Sequence, residues 1–276
     1  MWKKQLIATK RGCFEVFVAG EGKPLCVTHL YSEFDERGHL FANMFVPHYE
    51  TYLVNLRGCG QSDDQTELYT YAMDQTVLDL EAIREALGFE MWTFAGHSTG
   101  GMLALAYAVQ TPASLTQIVA GGLCASNAYM YNPKSIYCKE NPNNARIKEI
   151  LAMLADPKSS REMRQAGSKE WALMSLYDAK SYEKLTSRPN SGKTVSKRLD
   201  YFSYKELPTF DLHPKLPFVQ TKAAIYGGLY DAQCPYEHGV EAAKLMPNAV
   251  LTTFEKSNHN PFVEEEEAFL QFVATL

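Results

Sequence analysis

The sequence predicts an α/β fold with a mostly parallel sheet covered by helices on both faces. Short apolar runs alternate with helical patterns in the first half of the chain, and the alternation resumes near the end after a helical stretch. This alternation is typical of parallel sheets, because each crossover between parallel strands needs a helix. The 276 residues suffice for one large core with an inserted subdomain.

Five strands are predicted in the first half, where apolar runs end in turn residues, at 14–18, 25–28, 51–56, 91–95 and 115–120. A helix is predicted between the third and fourth of them, because apolar residues recur there at helical spacing: Met73, Val77, Leu80, Ile83 and Leu87. Gly88 follows, at the position where a helix end favours a left-handed residue. A second, apolar helix is predicted at 102–109.

The middle of the chain has a different pattern, with amphipathic helices at 145–155 and 161–177 and no strong strand signal. The sheet resumes at 221–226 and 250–254, with a helix at 236–245 between these strands and a final helix after them. We therefore expect a core formed by residues 1–125 and 216–276, with residues 126–215 as an inserted helical cap.

A turn of the form Gly-x-Ser-x-Gly, residues 96–100, joins the predicted strand at 91–95 to the predicted helix at 102–109. This arrangement is typical of a nucleophile elbow, in which a serine occupies a strained turn and its hydroxyl stands clear of the backbone. Strand and helix approach closely at such a turn, and Gly96 and Gly100 provide the space. Ser98 is therefore the candidate nucleophile.

A serine hydroxyl needs a histidine to accept its proton and a carboxylate to orient that histidine. In elbow hydrolases the acid and then the histidine follow the serine in the chain, each on a loop after a strand. Asp231 follows the predicted strand at 221–226, and His259 follows the strand at 250–254. We expect Ser98, Asp231 and His259 to form the catalytic set.

An oxyanion formed by serine attack also needs two preorganised donors, usually backbone N–H groups. One is expected at Thr99, the residue after the nucleophile. The other is expected in the loop after the strand at 25–28, where Tyr31 has the favoured position and Leu30 is the alternative.

Composition excludes several other classes of protein. The net charge of −5 gives no reason to expect nucleic acid as a partner, and we see no cofactor fingerprint and no cluster typical of a catalytic metal. The six cysteines are scattered without a Cys-x-x-Cys pair, which favours reduced thiols. Without a signal-like start or a long apolar run, we expect a cytoplasmic protein that acts on a small molecule without cofactor, metal or membrane.

Four segments, residues 55–62, 96–101, 227–235 and 258–261, together resemble the signature segments of the α/β-hydrolase superfamily with a helical cap. The resemblance covers essentially the whole chain. Within the superfamily, the Arg57-Gly58 loop and the segment from Ser160 to Tyr177 look most like proline iminopeptidases. The resemblance implies a serine hydrolase that cleaves a small ester or amide through an acyl-enzyme.

Alternatives on the same scaffold are a carboxylesterase or lactonase, a cofactor-free perhydrolase, a carbon–carbon hydrolase and a ligand receptor without enzymatic activity. The expected cap carries 16 lysines and arginines against 10 aspartates and glutamates, which favours a neutral or carboxylate-bearing substrate over an amine. Four of its glutamates are candidates for binding an amine: Glu162, Glu170, Glu183 and Glu206. Five of its aromatic residues are candidates for lining an acyl pocket: Tyr129, Trp171, Tyr177, Phe202 and Tyr204.

Overall fold

A computed structural model describes residues 1–65 and 67–276 of the chain. Within them a sheet of eight strands forms the centre of the molecule, in the spatial order β1-β2-β4-β3-β5-β6-β7-β8. The pairs β1–β2 and β2–β4 are antiparallel, and all other neighbours are parallel. The strands are β1 (Lys3–Thr9), β2 (Gly12–Ala19), β3 (Lys23–Val27), β4 (Tyr49–Val54), β5 (Trp92–His97), β6 (Leu115–Gly121), β7 (Ala223–Gly228) and β8 (Ala249–Phe254).

Helices cover both faces of this sheet. The α-helices in the described chain are α1 (Leu40–Asn43), α2 (Met73–Ala86), α3 (Thr99–Gln110), α4 (Asn144–Ala155), α5 (Arg161–Met174), α6 (Ser181–Thr186), α7 (Ser196–Tyr201), α8 (Tyr236–Leu245), α9 (Pro261–Glu264) and α10 (Glu266–Ala274). Short 3₁₀ turns occupy Leu68–Tyr71, Pro112–Ser114, Asn127–Tyr131, Leu207–Thr209 and Leu216–Phe218, and a π-helical turn occupies Phe202–Glu206.

The central strands are buried on both faces, and their successive residues enter two different cores. Phe94 packs with the core under α2, α3 and α8, whereas Ala95 packs with the core under α1, α9 and α10. This follows from the period of two in a strand, and it explains why the central strands are continuously apolar rather than alternating.

The predicted mostly parallel α/β sheet is confirmed, and each predicted strand overlaps an observed one. The predicted helix at 236–245 has the same bounds as α8. Strand β1 was missed, because most of its side chains are exposed on the edge of the sheet and it lacks an apolar pattern.

Between β6 and β7 the chain forms α4 to α7, which overlap both predicted helices of the expected cap; α5 ends at Met174, before the expected Tyr177. The short helices α6 and α7 were not predicted. A two-residue ladder pairs Ser32 and Glu33 with Thr194 and Lys193, and so joins this helical segment to the loop after β3.

None of the helices in residues 1–65 and 67–276 is both long enough and apolar enough to span a membrane. All six cysteines have free thiols, and five of them are buried.

Candidate active site

Ser98 lies between the end of β5 and the start of α3, with φ 57° and ψ −125°. It is the one non-glycine residue of the described chain with positive φ, so its backbone is strained. A Cβ at Gly96 would overlap the carbonyl oxygen of Gly100, and a Cβ at Gly100 would lie 2.6 Å from the carbonyl oxygen of Thr28. The two glycines thus allow strand, helix and the loop after β3 to meet at this turn.

Asp231 and His259 are brought together at the ends of β7 and β8. His259 Nδ1 lies 2.8 Å and 3.0 Å from the two carboxylate oxygens of Asp231, and both side chains are buried. The same carboxylate accepts the backbone N–H groups of Gln233 and Cys234, each at 2.8 Å. Since an ionised carboxylate can only accept, the hydrogen of a neutral His259 ring lies on Nδ1 and its Nε2 is free to accept a proton.

Ser98 and His259 line the same cavity. Within the described chain no hydrogen bond joins Ser98 Oγ to His259 Nε2; in enzyme structures without substrate, hydrogen bonds between a nucleophile and its general base are often long or poorly aligned. His97 packs beside them, with its ring centroid 4.6 Å from that of His259. His97 Nδ1 is 2.9 Å from the hydroxyl of Tyr226, and burial lowers the pKa of His97 well below its ordinary range, so this neighbouring ring is neutral.

The two residues expected to supply oxyanion donors, Tyr31 and Thr99, both lie close to Ser98. Tyr31 and Ser98 line the cavity, and Thr99 begins α3 directly after Ser98. In the described chain, the N–H groups of Tyr31 and Thr99 donate to no protein acceptor. Leu30, the alternative, is buried and does not line the cavity.

A side-chain network connects the two segments that carry these donors. Thr99 Oγ1 lies 3.0 Å from His29 Nε2, and His29 Nδ1 lies 2.8 Å from Ser32 Oγ. Burial lowers the pKa of His29 to about 3, so this imidazole is neutral at physiological pH. A neutral ring can donate through one nitrogen and accept through the other, which suits a position between two hydroxyls.

The cavity at Ser98 has a volume of about 220 Å³, which is small for a ligand site. Its walls carry apolar side chains, hydroxyls, amides and imidazoles, but no Asp, Glu, Lys or Arg among the described residues. The residues that line the cavity are Val27, Thr28, His29, Tyr31, Ser32, Phe34, His39, Leu40, Phe41, His97, Ser98, Trp171, Leu185, Asn190, Thr194, Gln233, His259, Asn260 and Phe262.

The four glutamates considered for amine binding lie outside this cavity. Glu162 and Glu183 are exposed, and Glu170 pairs with Arg146 at 2.7 Å on the surface. Glu206 accepts the backbone N–H of Met73 at the start of α2, at 2.7 Å.

Of the five aromatic residues considered for the pocket, Trp171 lines it. Tyr177 and Tyr204 are on the surface, exposed by 48% and 75%. Phe202 is buried against Tyr31, and Tyr129 packs against Tyr137. Most of the expected pocket aromatics therefore hold the helical segment together or face solvent.

Sequence reasoning missed several cavity residues. His39 precedes α1, Asn190 follows α6, and Gln233 lies two residues after Asp231. Their approach to Ser98 depends on contacts between distant segments, such as the bond from the N–H of Leu40 to the side-chain oxygen of Asn190 at 3.0 Å. For Gln233 the signal was its place in the loop that carries Asp231.

A sheet with this strand order, a strained serine between a central strand and a helix, and an Asp–His pair on the loops after the last two strands define a hydrolase-type α/β scaffold. The family model described as alpha/beta hydrolase fold matches residues 29–266. The chain belongs to the α/β-hydrolase family.

Known proteins agree with this assignment. A proline iminopeptidase of Heyndrickxia coagulans is 24% identical over 235 residues, which are 80% of this chain and 78% of the relative. The solved structure of an α/β fold family hydrolase from Bacillus anthracis is 52% identical, with a TM-score of 0.98 over 100% of this chain and 99% of that one. An esterase from Exiguobacterium antarcticum shares the fold at 20% identity and a TM-score of 0.71, over 99% and 98% of the two chains.

Proposed function

We propose that the protein is a serine hydrolase that cleaves a compact, uncharged ester through an acyl-enzyme. The observation that carries the proposal is the convergence of Ser98, in its strained turn, and the Asp231–His259 pair on one small cavity. The helical segment between β6 and β7, expected as a cap at 126–215, contributes Trp171, Leu185 and Asn190 to the walls of that cavity.

In the proposed reaction, Ser98 Oγ attacks the ester carbonyl while its proton passes to His259 Nε2. The carbonyl oxygen becomes negatively charged and accepts hydrogen bonds from the N–H groups of Thr99 and Tyr31. Asp231 stabilises the imidazolium that forms, through the bond to Nδ1. The intermediate then collapses, the alcohol leaves with the proton from His259, and a water molecule hydrolyses the acyl-enzyme by the same steps.

The preference for an uncharged substrate is supported by the walls of the cavity. An aminopeptidase must bind a free ammonium group, which needs a carboxylate or several acceptors in a buried site. Here no carboxylate lines the cavity in the part of the chain that the structure describes. Burial also lowers the pKa of His29 to about 3 and of His39 to about 4, so neither ring offers a positive charge to an anionic substrate.

A substrate panel tests the proposal. The purified protein and its Ser98→Ala variant are assayed with p-nitrophenyl esters of short neutral acids and with proline p-nitroanilide. We expect kcat/KM on the best ester to exceed that on the prolyl amide by at least about 100-fold, which corresponds to about 3 kcal/mol and is less than the cost of burying an unpaired ammonium. A prolyl amide hydrolysed as well as the esters would contradict the substrate assignment, and an active Ser98→Ala variant would contradict the mechanism.

A further inference from the structure

Arg198, at the middle of α7, is a buried cation that has no carboxylate partner among the described residues. It is 1% exposed, and its three hydrogen bonds all go to neutral oxygens. Nε donates to the carbonyl oxygen of Leu30 at 2.5 Å, Nη1 to that of Arg57 at 3.0 Å, and Nη2 to the hydroxyl of Thr76 at 3.0 Å. Removing an unpaired guanidinium from water is costly, so this arrangement calls for an explanation.

The bond to Leu30 acts on the peptide that carries one of the proposed oxyanion donors. The carbonyl of Leu30 and the N–H of Tyr31 belong to one planar trans peptide unit, and therefore point in opposite directions. Fixing the oxygen fixes the direction of the N–H. A cation at the oxygen also polarises the peptide and strengthens the N–H as a donor.

The next peptide is held by the same segment. Val195, which precedes α7, donates its N–H to the carbonyl oxygen of Tyr31 at 2.8 Å. Both carbonyls that flank the Tyr31 N–H are thus bound by residues 195–198, more than 160 positions away along the chain. Arg198 itself is held by the Arg57 carbonyl, and the Arg57 side chain forms a buried ion pair with Asp79 at 2.8 Å.

We propose that Arg198 is a positioning residue for the oxyanion site: it orients and polarises the Leu30–Tyr31 peptide so that the Tyr31 N–H stabilises the transition state. The inference rests on the proposed function. It also gives α7 a part in catalysis, because the catalytic geometry then depends on a residue of the helical segment as well as on the core.

The test compares Arg198→Lys with Arg188→Lys on the best ester substrate. Arg188 also joins the helical segment to the core, by an ion pair with Glu266 at 2.6 Å, and its side chain makes no hydrogen bond to the loop after β3 within the described residues. Lysine keeps the positive charge at position 198, but its ammonium group cannot reproduce the three hydrogen bonds of the planar guanidinium. We expect kcat of Arg198→Lys to fall about 10-fold, less than the 10²- to 10³-fold loss typical of a deleted donor, with KM within threefold. Arg188→Lys should retain kcat within about twofold.

A trifluoromethyl ketone carrying the same acyl group separates positioning from a general structural effect. It adds to the serine to form an oxyanion, so its inhibition constant for Arg198→Lys should rise by the same factor as kcat falls. Equal kcat values for the two lysine variants, or a change confined to KM, would overturn the inference.

A milder variant covers the case in which Arg198→Lys does not fold. Thr76→Val removes the acceptor of Nη2, one of the three bonds that fix the guanidinium, and so loosens its hold on the Leu30 carbonyl; we expect a kcat loss of about threefold with KM unchanged. An unchanged kcat would then overturn the inference. Failure of the proposed function is recognised separately, since in that case the wild type would not hydrolyse the esters or Ser98→Ala would retain the activity.

Discussion

At the scale of single residues, Ser98 combines a strained backbone with the position of the proposed nucleophile. Residues with positive φ cost about 1–3 kcal/mol when they are not glycine, and the surrounding packing must hold them in place. At Ser98 the hydrogen bond from its N–H to the carbonyl oxygen of Gly121, at 2.9 Å, helps to do so. The strain therefore falls on the proposed nucleophile, and its free energy can be measured.

Replacing Ser98 by glycine should stabilise the protein while replacing it by alanine should not. Both variants lose the hydroxyl and should lose activity, but only glycine relieves the strain at φ 57°. We expect Ser98→Gly to exceed Ser98→Ala in free energy of unfolding by about 1 kcal/mol, measured by urea denaturation. Equal stability of the two variants would show that this turn stores no strain.

Asp231 orients His259 through two close carboxylate contacts. Asp231→Asn should lower kcat by about 10⁴-fold, because an amide can donate to Nδ1 and stabilise the wrong tautomer. The chain offers a matched control in Asp211, which lies 2.7 Å from His213 Nδ1 on the surface. Asp211→Asn should leave ester hydrolysis unchanged, and a loss of similar size in both variants would argue against a special function of Asp231.

At the scale of secondary-structure elements, the sequence predicts well what is periodic and poorly what is exposed or short. Helix α2 was found because its apolar side chains repeat at helical spacing, and the central strands were found because they are short continuous apolar runs bounded by turn residues. Strand β1 is an exposed edge, and helices α6 and α7 have six residues each, too few for a clear period. The contact of α7 with the loop after β3 joins distant parts of the chain, so no local pattern could reveal it.

The start of α2 carries a testable pH effect. Glu206 accepts the N–H of Met73 there, its Oε2 is buried without a partner among the described residues, and burial raises its pKa from 4.5 to about 7. The folded state thus retains a proton that the unfolded state releases between pH 4.5 and 7. The free energy of unfolding should fall as pH rises through this window, and the loss should be complete above it.

Glu206→Gln removes this titration and keeps an acceptor for Met73. Its Tm should match that of the wild type near pH 4.5 and exceed it at pH 8. The higher Tm at pH 8 corresponds to a free energy of unfolding larger by an amount on the order of 2 kcal/mol. Glu183→Gln, at an exposed position on α6, serves as the control and should leave the pH dependence of Tm unaltered. If Glu206→Gln retains the wild-type profile, Glu206 is not the titrating group.

At the scale of the whole molecule, the parallel sheet brings residues from β5, β7 and β8 to one edge, as expected for loops at the carboxyl ends of parallel strands. The motif order was therefore sufficient to select Ser98, Asp231 and His259 as candidates. The cavity walls could not be predicted, because they combine core residues with side chains of the helical segment between β6 and β7, such as Trp171, Leu185 and Asn190. The net charge of the expected cap did not predict the chemistry of the cavity walls, because none of its charged side chains lines the cavity among the described residues.

The nucleophilic character of Ser98 is tested most directly by a fluorophosphonate, which phosphonylates activated serines. The native protein, the Ser98→Ala variant and heat-unfolded protein are treated alike, and the modified peptide is located by mass spectrometry. We expect one adduct per native chain, on Ser98, and none on the other two samples. A folded protein that stays unmodified, or that is modified at another residue, would contradict the account.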